Sequence, residues 1–264
     1  MTVVSIPFFG SLRRVYALTV FYGLLLARLA ALPLAGLVIV VVAFDLLVLA
    51  LEAQQASTLV IFLTTWIGEL FAQLMVINFL AIRVFRLVLL EHEDESTLFD
   101  RESFSMLPRF SLFQLVILVL TVFLCVMGWL LMMPMRGWFG GWSLLFFLPF
   151  AAAAFWLYCR LSFVLPAVSL GIRYGFRDSW VVTKDSVLPI VLVTLFSVLP
   201  WFAISWGAAQ IDGVALGPSS WVYWAMLPVT SVLYCARTIA LAVASAVCFQ
   251  KRTGWRPGAE GLLT

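Results

Sequence analysis

Six long apolar stretches, at about 29–53, 58–82, 110–133, 142–165, 187–208 and 220–249, constrain this chain more than any other feature. Each is long enough for a helix that crosses a hydrocarbon layer, which takes roughly 20 mostly apolar residues. Inside such a layer every backbone N–H and C=O must find a partner within the protein, and a helix supplies those partners from the same segment. Composition agrees: 64% of the 264 residues are hydrophobic and 11% are charged, against about 25% charged in a soluble domain. The expected fold is therefore all-α, an integral membrane bundle of six transmembrane helices forming a single transmembrane domain over residues 1–264. With so few charges and a net charge of +3, nucleic acid is not an expected partner, because phosphate binding needs many Lys and Arg on one face.

The connections set the orientation. "EAQQAST", "MPMRGWFGGW" and "AQIDGVALGPSS" join the spans in pairs, and they hold a single basic residue, Arg136. The other Lys and Arg residues lie in the N-terminus, residues 83–109, residues 171–186 and the C-terminus, or near those ends of the spans. An excess of Lys and Arg marks cytoplasmic segments, so both termini and the longer connections are expected inside. Tryptophans 138, 142, 201, 206, 221 and 224 flank the short connections, as an outer interfacial belt would. The N-terminus has its arginines after an apolar run and lacks the order of a cleaved signal. These features point to a multi-pass membrane protein.

Each hairpin follows a segment that reads as a cytoplasmic interfacial amphipathic helix. In "IRYGFRDSWVVTKDS", Ile172, Phe176 and Trp180 recur every four residues, while Arg173, Arg177 and Lys184 point elsewhere. Such a helix lies in the membrane interface, with Phe176 and Trp180 as anchors and the bases facing lipid phosphate. "PFFGSLRRVYALTV" and "STLFDRESFSMLPRF" carry weaker versions. The order flat helix, span, short turn, span thus occurs three times, over about 8–90, 97–170 and 172–250, which suggests an internal repeat.

Three arginines share the period. Arg83, Arg160 and Arg237 are 77 residues apart and 77 again, and "WLYCRLSF" echoes "VLYCARTI". Arg160 lies about 18 residues into its span, roughly 27 Å at the helical rise. At the inner edge of a ~30 Å core it can snorkel to the headgroups. Two readings stand. The arginines pin the inner end of each return helix, or they form a ring that binds phosphate of an anionic lipid or substrate through their bidentate geometry.

Acids lie deeper. Asp45 is about 16 residues into the first span and Glu69 about 11 into the second. Ionisable groups at such depth mark functional sites by default. Gln73 and Trp66 share the helix face of Glu69. One reading is a cation or proton site in a transport path. The other is an acid that holds helices together through hydrogen bonds.

Catalytic and metal motifs are missing from the sequence. The single histidine, His92, sits in the acidic run "LLEHEDEST", and Cys125, Cys159, Cys235 and Cys248 lie in apolar spans without metal-ligand spacing. There is no phosphate-loop, dinucleotide or nucleophile-elbow motif. No metal, cofactor or enzymatic activity is expected.

The passage "CRLSFVLPAVSLGIRYGFRDSWVVTKDS" resembles a bacterial family of uncharacterised polytopic inner-membrane proteins related to the membrane domain of glycerophosphodiester phosphodiesterases. The resemblance rests on Arg160, Pro166, Ala167, Ser179, Trp180, Thr183 and Lys184; Asp185 stands where the family tends to have Gly. It implies a six-helix fold and brings no catalytic domain. The expected role is a non-enzymatic scaffold or accessory subunit that organises lipid, anionic lipid included, or a larger complex with a membrane-protein partner. The alternative is a small-solute or lipid transporter that uses Asp45 and Glu69.

Overall fold

A computed structural model describes residues 6–54, 57–90, 101–139, 144–212 and 221–255. These residues form ten α-helices and one π-helical stretch, with no strand among them. Helix α1 (Phe8–Phe21) leads into α2 (Gly23–Ala53). The next span is composite: α3 (Thr58–Phe62), a π-helical stretch Leu63–Glu69, and α4 (Leu70–Leu90). Then follow α5 (Arg101–Phe139), α6 (Leu144–Leu161), α7 (Val164–Ser169), α8 (Phe176–Thr183), α9 (Val187–Asp212) and α10 (Trp221–Thr253). Six helical segments are long and apolar enough to cross a membrane: Gly23–Ala53, Ile67–Leu90, Arg101–Pro134, Leu145–Ser169, Val187–Ala208 and Trp224–Thr253.

Local chemistry explains the irregular places. A π turn widens the second span at Leu63–Glu69, and Gly68 lets α2 approach it. A Cβ on Gly68 would fall 2.8 Å from Cε1 of Phe44. The second unit's return span breaks after α6. Ser162 Oγ donates to the Cys159 carbonyl at 3.2 Å, and α7 ends at Gly171, whose φ of +74° only glycine adopts freely.

Two of the three expected preliminary helices differ from the sequence reading. Residues 101–109 are the first turns of the continuous α5, not a separate element. The helix near residue 176 starts at Phe176, capped by Asp178 Oδ2 accepting from the Gly175 N–H at 2.8 Å. Ile172 therefore precedes that helix and does not share a helical stripe with Phe176 and Trp180. Residues 1–5, 55–56, 91–100, 140–143, 213–220 and 256–264, with His92 among them, lie outside the described residues.

The core sits around the return spans. In their most apolar windows, the spans ending α4 and α10 are each 61% buried, against 6% for α2 and 17% for α5. The C-terminal halves of α4 and α10 carry the densest packing, with Leu80, Ile82, Val84, Leu89, Val243, Val247 and Phe249 all excluded from solvent. Exposed Val119, Phe123, Leu130, Leu148 and Leu199 cover the outside, as hydrocarbon-facing residues would.

Each segment that precedes a hairpin packs on the return helix of another one. Helix α8 lies on α6, the start of α5 meets α4, and α1 lies against α10 and α9, so the N-terminal helix closes onto the last hairpin. Proline explains one α1 contact. Pro200 inside α9 has no N–H for the Phe196 carbonyl four residues back. The Tyr16 hydroxyl of α1 donates to that carbonyl at 2.9 Å, and Phe8 packs edge-on against the Phe196 ring at 5.7 Å.

This pairing predicts a coupled pair of substitutions. Tyr16→Phe should lower stability by about 1 kcal/mol by leaving the Phe196 carbonyl short of a donor. In a Pro200→Ala background α9 supplies its own N–H, so Tyr16→Phe should cost markedly less. Thermal unfolding of the four proteins of this cycle in detergent checks it, and equal costs in both backgrounds would contradict the pairing.

Candidate functional site

Arg160 is buried at 6% exposure, and the reason is a clasp built by α8. One guanidinium N–H donates to the Trp180 carbonyl at 2.7 Å, and Nε–H donates to Thr183 Oγ1 at 3.3 Å. In return, the Ser179 hydroxyl donates to the Arg160 carbonyl. The Trp180 ring centroid lies 3.6 Å from the guanidinium carbon, and Trp156 lies 5.2 Å away. Thr183 Oγ1 also donates to the Ser179 carbonyl at 2.7 Å, so its hydroxyl is oriented to accept from the arginine. Three of the residues behind the family resemblance, Ser179, Trp180 and Thr183, thus converge on a fourth, Arg160. Pro166 and Ala167 are buried in α7, and Lys184 is exposed.

The other two periodic arginines have different surroundings. Arg83 is buried at 3% exposure, with its guanidinium carbon 6.0 Å from the Phe79 ring. Arg237 stands at the middle of α10, with sixteen residues of the helix on either side, so the expected placement at a helix end holds for Arg160 but not for it. Arg160 is engaged by α8, while Arg237 faces Tyr234 and Phe202 at 4.7 and 5.2 Å. Arg173, Arg177 and Lys184 are exposed. Phe176, expected as a lipid anchor, packs edge-on against Phe113 at 5.0 Å. Trp180, though 40% exposed, is the lid of the Arg160 clasp.

Asp45 and Glu69 are brought together. The contact between α2 and the π stretch sets the two half-buried carboxyls close enough to interact electrostatically. Gln73 Nε2 donates to Glu69 Oε1 at 2.7 Å. The Trp66 side chain lies outside the described residues.

Three features were not singled out from the sequence. Arg86 of α4 pairs with Glu102 of α5 at 2.7 Å and donates to the Ser169 carbonyl at 3.4 Å. Its signal was present, a base one turn beyond Arg83 facing an acid in the first turn of α5. Buried Asn78 donates to Ser111 Oγ at 3.0 Å, tying α4 to α5. The third is a cavity of about 170 Å³ between α4, α5, α6, α7 and α10, onto which Arg237 opens. Such a cavity has no sequence signal, because its residues come from five helices.

Among the described residues no group of three or more His, Cys, Asp or Glu could hold a metal ion. Cys159, Cys235 and Cys248 are buried free thiols. No family model, curated protein or solved structure matches the chain.

Removing the clasp arginine should be costly, because it strands the Trp180 carbonyl and the Thr183 hydroxyl. Arg160→Ala should destabilise by about 3 kcal/mol, and Arg160→Lys should restore little, since an ammonium lacks the planar fork. Thermal midpoints in detergent report both. A second measurement concerns Tyr174, just before α8, whose hydroxyl is buried without a hydrogen-bond partner. Burial pushes this phenol up, and the charge of Asp178 adds to the effect. The unfolded chain ionises the phenol first, so stability should fall as pH rises above about 10. Tyr174→Phe should lessen that fall, read as thermal midpoint against pH.

Proposed function

We propose that this protein is a non-enzymatic, multi-pass membrane scaffold or accessory subunit that organises lipid or a larger membrane complex. One observation carries the reading: Arg160, Arg86 and Glu69, charged groups inside the apolar spans, each make a separate structural contact. Arg160 is clasped by α8, Arg86 is paired with Glu102, and Glu69 accepts from Gln73 on its own helix. Buried polar contacts of this kind hold helices together in an apolar medium.

In this reading the protein sits in a bacterial inner membrane with both termini in the cytoplasm, on the strength of its Lys and Arg distribution. The three hairpins are copies of one ancestral unit. The 77-residue spacing supports this, and so does the way α8, the start of α5 and α1 each lie on the return helix of another hairpin. Exposed Arg173, Arg177 and Lys184 meet anionic headgroups at the cytoplasmic interface. Kinship with the bacterial polytopic family related to the glycerophosphodiester phosphodiesterase membrane domain belongs to the same proposal. Its support is that Arg160, Ser179, Trp180 and Thr183 make a single clasp.

A second reading, transport of a small solute or lipid, draws on the π-helical stretch that ends at Glu69 beside Asp45. Single π turns within helices often accompany functional sites. One experiment separates the two. Glu69→Gln and Asp45→Asn are purified in native lipid beside the wild-type protein, and thermal stability, co-purifying components and proteoliposome flux are compared. The scaffold reading expects lower stability or altered assembly and no flux. Flux abolished by Glu69→Gln in a protein of unchanged stability and assembly would refute it in favour of transport.

A further inference from the structure

The cavity between α4, α5, α6, α7 and α10 has mostly apolar walls, Leu70 and Phe110 among them. Arg237, Ser245 and Gln114 are among the residues that line this space. Arg237 lines the cavity from the middle of α10. Its contacts are with the ring faces of Tyr234 and Phe202, at 4.7 and 5.2 Å, and among the described residues it has no hydrogen bond or ion pair. Ring faces interact with the plane of a guanidinium and leave its N–H groups available. Ser245, 9% exposed, lines the same space with an unpartnered hydroxyl, and so does the buried Oε1 of Gln114.

Unpaired groups of this kind are costly in an apolar surrounding, because a buried donor or acceptor left without a partner bears its full desolvation penalty. An occupant that fits must bring an anionic oxygen for Arg237 and tolerate apolar walls. A second cavity of about 200 Å³ lies between α9 and α10 and shares Tyr234 and Arg237 with the first. A cavity of about 150 Å³ admits a molecule the size of benzene, so either space accommodates a headgroup and the first carbons of a chain.

We propose that Arg237 and the cavity beside it form a binding site for the anionic head of a single-chain membrane amphiphile, a carboxylate or phosphate held by the guanidinium edge. The apolar walls take the adjoining carbons. Ser245 donates a hydrogen bond to the head. This goes beyond a scaffold role, and an empty site would leave that role untouched.

The test uses the full chain in neutral phosphatidylcholine nanodiscs, with saturable thermal stabilisation as the readout. The probes are dodecyl phosphate, laurate, dodecanol and inorganic phosphate. Dodecyl phosphate and laurate should bind the wild-type protein at least about tenfold more tightly than dodecanol, the difference expected for one charge-assisted hydrogen-bonded contact. Arg237→Gln should weaken the two anions by at least about tenfold. Arg237→Lys should weaken them less, and Arg13→Gln, at an exposed base, should not change them. Inorganic phosphate as tight as dodecyl phosphate would support the same oxyanion site with a water-soluble source. Equal binding of dodecanol and dodecyl phosphate to the wild-type protein would overturn the proposal, even if the Arg237 variants fail to fold. So would a folded Arg237→Gln protein that binds with unchanged affinity.

Discussion

A backbone amide inside an apolar layer has no water to bond with, and the rest of this structure follows from that. The chain keeps its backbone groups paired by remaining helical through long stretches, even across Pro33, Pro134, Pro149 and Pro228. Where proline removes a donor, another element can replace it, as Tyr16 does for the Phe196 carbonyl. Small hydroxyls obey the same rule by bonding back to their own helix: Thr121 to Ile117, Ser197 to Val193 and Thr238 to Tyr234.

The same constraint sorts the charges. An arginine in this surrounding needs acceptors or rings, and three arginines at equal spacing find three different solutions. Arg160 meets a carbonyl, a threonine hydroxyl and two tryptophans because α8 folds back over the end of α6. Arg83 lies near the Phe79 ring in the densest part of the core. Arg237 has aromatic faces only and opens onto a cavity. An equivalent position in sequence is therefore not an equivalent site.

Burial is also unevenly shared. The return spans in α4 and α10 form the interior, while α2 and α5 lie at the periphery. Hydropathy does not reveal this division. The least buried span has the highest mean hydropathy, 2.9 for α2, and the two most buried have 1.9. In lipid the outside is as apolar as the inside, so the hydrophobic signal that locates a soluble core carries no such information here. Polar residues carry it instead: Asn78, Ser111 and Arg83 are all buried at helix contacts.

The sequence by itself determined the fold class and the six spans, because span length and hydropathy are local properties. It also marked Arg160, Ser179, Trp180 and Thr183 as belonging together, though not what they do. Only the tertiary structure decided that α1 closes onto α10, that residues 101–109 continue into α5, that Arg160 is held by α8 and that Arg237 faces a cavity. Each of these depends on which helix faces meet across long separations in the chain. Within a uniformly apolar sequence no periodic pattern records that choice; it is made by a few polar contacts and close approaches, such as Tyr16 at Pro200 and Gly68 beside Phe44.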